Sequence, residues 1–100
     1  MDKNTALDYA RRYAEVVKQN FDTAVVFVYG SYVSGTADSN SDIDVAVIID
    51  GFDGDFLEVS AFLYQLTCGI NTAIEPVLLD SLNDVSGFTN EIMKSGMRVA

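Results

Sequence analysis

Two carboxylates and a Gly-Ser pair are the residues of this chain whose types and spacing could do chemistry. Asp42 and Asp44 stand one residue apart at the head of an apolar run that ends at Ile49. In a strand, both would lie on one face, with Ile43, Val45, Val47 and Ile49 on the other. Their Cα atoms would be about 7 Å apart, so the side chains can converge on one point. Two carboxylates that close repel and raise each other's pKa unless a cation sits between them. With no basic residue nearby in sequence, the pair suits a hard divalent metal, and Mg²⁺ prefers such oxygen ligands. A lone Asp-x-Asp is more often a loop end with its acids in water. Upstream, Gly30 lets the chain turn sharply at a strand end. Ser31 then stands where backbone N–H groups and a hydroxyl open a helical turn, a cradle suited to phosphate. Gly-Ser alone is also an ordinary strand-to-helix turn.

These side chains need a frame. Residues 5–20 read as a helix, capped by Asn4 or Thr5. Ala6, Tyr9, Ala10, Tyr13, Val16 and Val17 give it one apolar face. Residues 24–29, AVVFVY, predict a buried strand, and a short helical turn follows at 32–35. The small and polar residues 36–41 predict a loop, 42–49 a second strand, and 50–55 another loop. Residues 56–68 suit a long helix with Phe56, Val59, Phe62, Leu63 and Leu66 on one face and Gly69 as its stop. Residues 73–79, AIEPVLL, predict a third strand, where Pro76 implies an edge position or a bulge. Residues 81–95 predict a last helix, capped by Ser81 or Asn83 and ended by Gly96. The expected fold is α/β (α+β): a three-stranded mixed sheet with helices mainly on one face, forming one domain over 1–100.

Composition narrows the chemistry. The chain has 100 residues, no histidine and one cysteine, Cys68. That excludes Ser-His and Cys-His nucleophiles, histidine metal sites, zinc clusters and internal disulfides. Net charge is −9, and no Lys or Arg occurs between Gln19 and Met93. A nucleic-acid surface needs a basic stripe, so no nucleic-acid partner is expected. The N-terminus lacks a signal-peptide core and the longest apolar run, Ala24 to Tyr29, is too short for a bilayer. No membrane association is expected, and cytoplasmic residence is. Asp38 to Ile49 fails as a calcium loop, because Ile43 and Ile49 replace the required Gly and Glu. Walker A and G-x-G-x-x-G patterns are absent. Tyr9, Tyr13, Phe56, Phe62 and Tyr64 read first as packing.

Joined, the pieces read Gly-Ser, ten residues, Asp-x-Asp: GSYVSGTADSNSDIDVAV. This resembles the signature of the polymerase-β-like nucleotidyltransferases, specifically the minimal nucleotidyltransferase domains that act as antitoxins of HEPN-domain toxins. The similarity covers nearly the whole chain, through EIMKSGMRV. It implies that Gly30 and Ser31 hold the phosphates of a nucleoside triphosphate, ATP foremost. Asp42 and Asp44 would bind two Mg²⁺ ions, with a third carboxylate on the next strand completing the site and helping to deprotonate the attacking hydroxyl. For that third acid Glu75 is preferred. Asp50 lies six residues past Asp44, about 20 Å along the strand, and Asp80 has the opposite parity and suits a cap on the last helix. Glu75 also reads as an edge-strand charge that discourages aggregation. Two positions depart from the family: Glu75, where Asp is usual, and Asp38, where a basic residue is common. The implied activity is transfer of AMP from ATP to a hydroxyl, on a partner protein such as a HEPN toxin. The alternative is a catalytically weak or inactive binding module that neutralises its partner by contact.

Overall fold

The computed structural model describes residues 1–38, 40–51, 54–83 and 87–100. Ser39, Phe52 and Asp53, in the two predicted loops, and Asp84, Val85 and Ser86, in the predicted last helix, lie outside the described residues. The elements run α1 (Lys3–Asn20), β1 (Val25–Tyr29), α2 (Ser31–Ser34), β2 (Ile43–Ile49), α3 (Phe56–Thr67) and β3 (Ile74–Asp80). A 3₁₀ turn (Ser81–Asn83), α4 (Phe88–Ser95) and β4 (Met97–Arg98) complete the chain. The strands form one mixed sheet in the order β3-β2-β1-β4. Strand β1 is antiparallel to β2 and β4, and β2 is parallel to β3. Among the described residues the sheet therefore has four strands, not the three the sequence predicts. The fourth is two residues long, too short to show any alternation.

Helix α1 starts earlier than predicted, because Asp2 is its cap: the carboxylate accepts the Thr5 N–H at 2.8 Å. Thr5 is thus the donor of the cap bond, and an ionised acceptor also complements the helix N-terminus. The helix buries Ala6, Leu7, Ala10, Tyr13, Ala14 and Val17, while Tyr9 and Val16 stay at the margin. This stripe packs with Val26 and Val28 of β1, Ile43, Val45, Val47 and Ile49 of β2, and Ile74 and Leu78 of β3. Leu63 of α3 joins the same core. The buried Tyr13 hydroxyl donates to the Leu63 carbonyl at 2.9 Å and pins α1 to α3. Asp55 caps α3, accepting from the Leu57 and Glu58 N–H groups at 2.7 and 3.3 Å. On the predicted apolar face of α3, Phe56 stays exposed at the first turn.

A smaller cluster of Phe27, Ala46, Ile48 and Ile92 covers the other side of the sheet, with Ile92 supplied by α4. Strand β2 is therefore apolar on both faces, as its near-continuous hydrophobic run requires of a central strand. Pro76 lies on β3, the edge strand, where a missing N–H breaks no second ladder.

The last helix differs most from its prediction. It begins at Phe88 behind Gly87, which has φ 75°, rather than at Ser81. Ser81 and Asn83 belong to the 3₁₀ turn, and Gly87 holds the cap position of α4. Asp80 caps that turn instead, accepting from the N–H groups of Leu82 at 3.0 Å and Gly51 at 3.2 Å. The Ser81 hydroxyl donates to Asp50, so that acid is engaged at the far end of β2. The predicted stop at Gly96 holds. Its N–H bonds the Ile92 carbonyl at 2.7 Å. A Cβ there would lie 2.6 Å from that carbonyl oxygen and 3.0 Å from the Val28 oxygen, so only glycine fits between α4 and β1. No helix among the described residues is long and apolar enough to cross a membrane.

Candidate active site

Register assembles the site. Asp44 pairs with Tyr29 of β1 on one side and with Glu75 of β3 on the other, making one row across three strands. Alternation directs this row to the Ala46 and Ile48 face, away from the main core. Asp42 is exposed one residue ahead of β2, and Asp44 and Glu75 are half-buried. Strand spacing sets neighbouring Cα atoms about 5 Å apart, so Asp44 and Glu75 share one local surface.

The β1–α2 turn closes against this row. Gly30 has φ 78° and ψ −146°, a conformation that favours glycine. A Cβ on Gly30 would collide with the Asp44 carboxylate, with Asp44 Cγ at 3.2 Å and Cβ at 3.4 Å. Both the backbone angle and the space therefore demand glycine here. Ser31 opens α2, and the Gly30 carbonyl accepts from Val33 at 3.1 Å and Ser34 at 3.0 Å. The first N–H groups of a helix have no partner within it and can serve an anion. Beside α2, a cleft of about 180 Å³ is lined by Ser31, Tyr32, Gly35, Ala37 and the start of α1, Lys3 included.

Electrostatics mark the row as a place short of positive charge. Burial pushes the Asp44 carboxyl above its ordinary value, helped by the charges of Asp42 and Glu75. The Tyr64 hydroxyl donates to Glu75 Oε2 at 2.9 Å, and that bond is the main reason its pKa is raised. Burial raises Tyr29, with Asp44 the largest charge acting on it. Among the described residues, the one ion pair is Arg11–Asp8 at 3.4 Å within α1, so no Lys or Arg pairs with these acids.

An oxygen-only donor set with mutually repelling charges fits a hard divalent cation. Asp42 and Asp44 supply that set at the strand head. Glu75 is held by Tyr64, and among the described residues no three His, Cys, Asp or Glu side chains form a ready metal group.

Two groups near the acids were missed in the sequence: Tyr29, which was passed over, and Tyr64, which reads there as packing but is exposed with its hydroxyl on Glu75. Tyr29 could have been found from its place beside Gly30, at the end of a strand. Nothing local flags Tyr64, which meets Glu75 only through the packing of α3 on β3. Asp38, the acid in place of a base, has a structural use. Its carboxylate accepts from the Asn40 N–H at 2.8 Å and the Ser41 hydroxyl at 3.4 Å, and Ser41 Oγ accepts its N–H at 2.9 Å. It shapes the loop that delivers Asp42.

A family model described as "Polymerase beta, Nucleotidyltransferase" matches residues 12–100, and the chain belongs to that family. Among solved structures, it is similar to a candidate nucleotidyltransferase from Sulfolobus solfataricus, with TM-score 0.69 and 20% identity. That match covers 96% of this chain and 80% of the other. It is also similar to a chain in a toxin-antitoxin structure with AMP-PNP, with TM-score 0.66, 22% identity, and 90% and 72% covered. No curated protein matches the sequence. At these identities the structures show a shared fold, which agrees with the minimal nucleotidyltransferase domain that the motif resembles.

Proposed function

We propose that residues 1–100 act as one Mg²⁺-dependent nucleotidyltransferase unit that moves AMP from ATP onto a hydroxyl of a partner protein. The observation that supports this best is the junction of Gly30 with Asp44. The glycine turn that opens a phosphate cradle lies directly against the carboxylate of the proposed metal pair. In this reading, Gly30 and Ser31 receive the phosphates through backbone N–H groups and the Ser31 hydroxyl. Lys3, on the same cleft as Ser31, adds a nearby cation. Asp42 and Asp44 hold the metal, and Glu75 takes the proton of the attacking hydroxyl. When bound, Mg²⁺ supplies the positive charge this acidic surface lacks and stabilises charge on the reacting phosphoryl oxygens. The acceptor is proposed to be a HEPN-type toxin. The support is the motif's resemblance together with the fold shared with a toxin-antitoxin structure holding AMP-PNP.

A second reading, a binding module that neutralises a partner by contact, draws on Glu75 being occupied by Tyr64. One experiment separates the two. The chain is incubated with Mg²⁺, α-labelled ATP and a HEPN-domain protein as the partner, with Asp42→Asn/Asp44→Asn as control. Label on the partner that the double substitution removes supports transfer. An unlabelled partner that still binds supports the contact module.

A further inference from the structure

We infer that the Tyr64 hydroxyl is an acceptor for the chain's own transfer reaction, so that the protein nucleotidylates itself at this residue. The inference rests on the reading of Asp42, Asp44 and Glu75 as a nucleotidyl-transfer site. Among the described residues, Tyr64 supplies the hydroxyl that donates to a carboxylate of that site, to Glu75 Oε2 at 2.9 Å. An attacking hydroxyl stands in this relation to its base, within hydrogen-bond reach and with its proton directed at the acceptor. Tyr29, in the same row, instead packs edge-on against Phe88 with ring centroids 5.8 Å apart.

Tyr64 is held yet accessible. The Thr67 hydroxyl donates to the Tyr64 carbonyl at 2.7 Å, and the neighbouring Leu63 carbonyl accepts from Tyr13 at 2.9 Å. The backbone beneath the ring is therefore fixed. The residue is 47% exposed, which leaves room for a nucleotidyl group without opening the core. A tethered hydroxyl beside its base avoids the entropy cost of recruiting a separate acceptor. In the step, Tyr64 Oη attacks the α-phosphorus of a nucleoside triphosphate and forms an Oη–P bond. The bond from that phosphorus to the α,β-bridging oxygen breaks, and pyrophosphate leaves with the electron pair. The hydroxyl proton passes to the Glu75 carboxylate. The product has lost the Oη–H donor and carries an added negative charge beside Glu75, so the reaction stops at one group per chain.

The test uses the full chain alone with Mg²⁺ and α-labelled ATP, GTP, CTP and UTP in turn, followed by peptide mass mapping. Calorimetric binding of the α,β-methylene analogue of ATP, whose bridge cannot be cleaved, is measured alongside. The expected result is one nucleotidyl group on the Tyr64 peptide, falling to background in Tyr64→Phe and in Asp42→Asn/Asp44→Asn. Analogue binding without label on Tyr64 overturns self-modification and leaves the transfer site standing. Neither binding nor label overturns both. Undiminished label in Tyr64→Phe overturns the assignment to this residue.

Discussion

Asp44 is the residue at which stability and the proposed chemistry pull in opposite directions. Its carboxyl titrates above the ordinary value because of burial first, and then Asp42 and Glu75. A raised folded-state value means that the protonated form is the one the fold favours. Its stabilising contribution is complete below the unfolded pKa of about 4 and is lost as pH rises through the folded value. At neutral pH the ionised group therefore costs stability. Asp44→Asn should raise the melting temperature in metal-free neutral buffer, the gain should vanish in acid, and nucleotidyl transfer should be lost. A lower melting temperature would mean that the carboxylate has a structural partner. Gly30→Ala should act oppositely. It forces a left-handed φ on alanine and drives Cβ into Asp44, at a cost of about 1–3 kcal/mol in urea unfolding. At this scale much of the candidate site's geometry was legible. Gly30, Asp42 and Asp44 are close in sequence and tied by strand geometry. Tyr64 was not, because its meeting with Glu75 depends on how a helix lies over a strand edge.

At the scale of elements, the α1–α3 contact turns on Tyr13. Its hydroxyl is buried against the Leu63 carbonyl, and burial pushes its pKa well above the phenol range. The sign here favours the protonated fold: the contribution is complete below the unfolded value of about 10 and is lost as pH climbs toward the raised folded one. Wild type should lose stability in alkali above about pH 10, and Tyr13→Phe should flatten that decline. The same substitution should cost about 1 kcal/mol at neutral pH, from the missing hydrogen bond, in denaturant titration. Leu63→Ala, in the same contact, should cost about 2–5 kcal/mol. Apolar spacing made α1, α3 and the three longer strands readable, because each buries a regular face. The cap of α1, the start of α4 and the strand β4 were not readable. Asp2, rather than Asn4 or Thr5, caps α1, and α4 starts only where Gly87 adopts φ 75°. Strand β4 exists because Gly96 lets the chain fold tightly onto β1.

The whole molecule carries a net charge of −9, with no Lys or Arg between Gln19 and Met93. Such a surface repels a free triphosphate, so nucleotide binding should depend steeply on divalent cation. Mg²⁺ should raise the melting temperature of wild type, with saturation at 100 times Kd giving about 2.7 kcal/mol. NaCl of equal ionic strength should do less, and Asp42→Asn/Asp44→Asn should not respond. Asp42 and Asp44 are proposed to serve nucleotidyl transfer. That role is tested by comparing ATP labelled at the α-phosphate with ATP labelled at the γ-phosphate, both with Mg²⁺ and the partner protein. Protein should retain the α-label and none of the γ-label, and Asp42→Asn/Asp44→Asn should abolish retention. Retained γ-label, or α-label that survives the double substitution, would contradict that role.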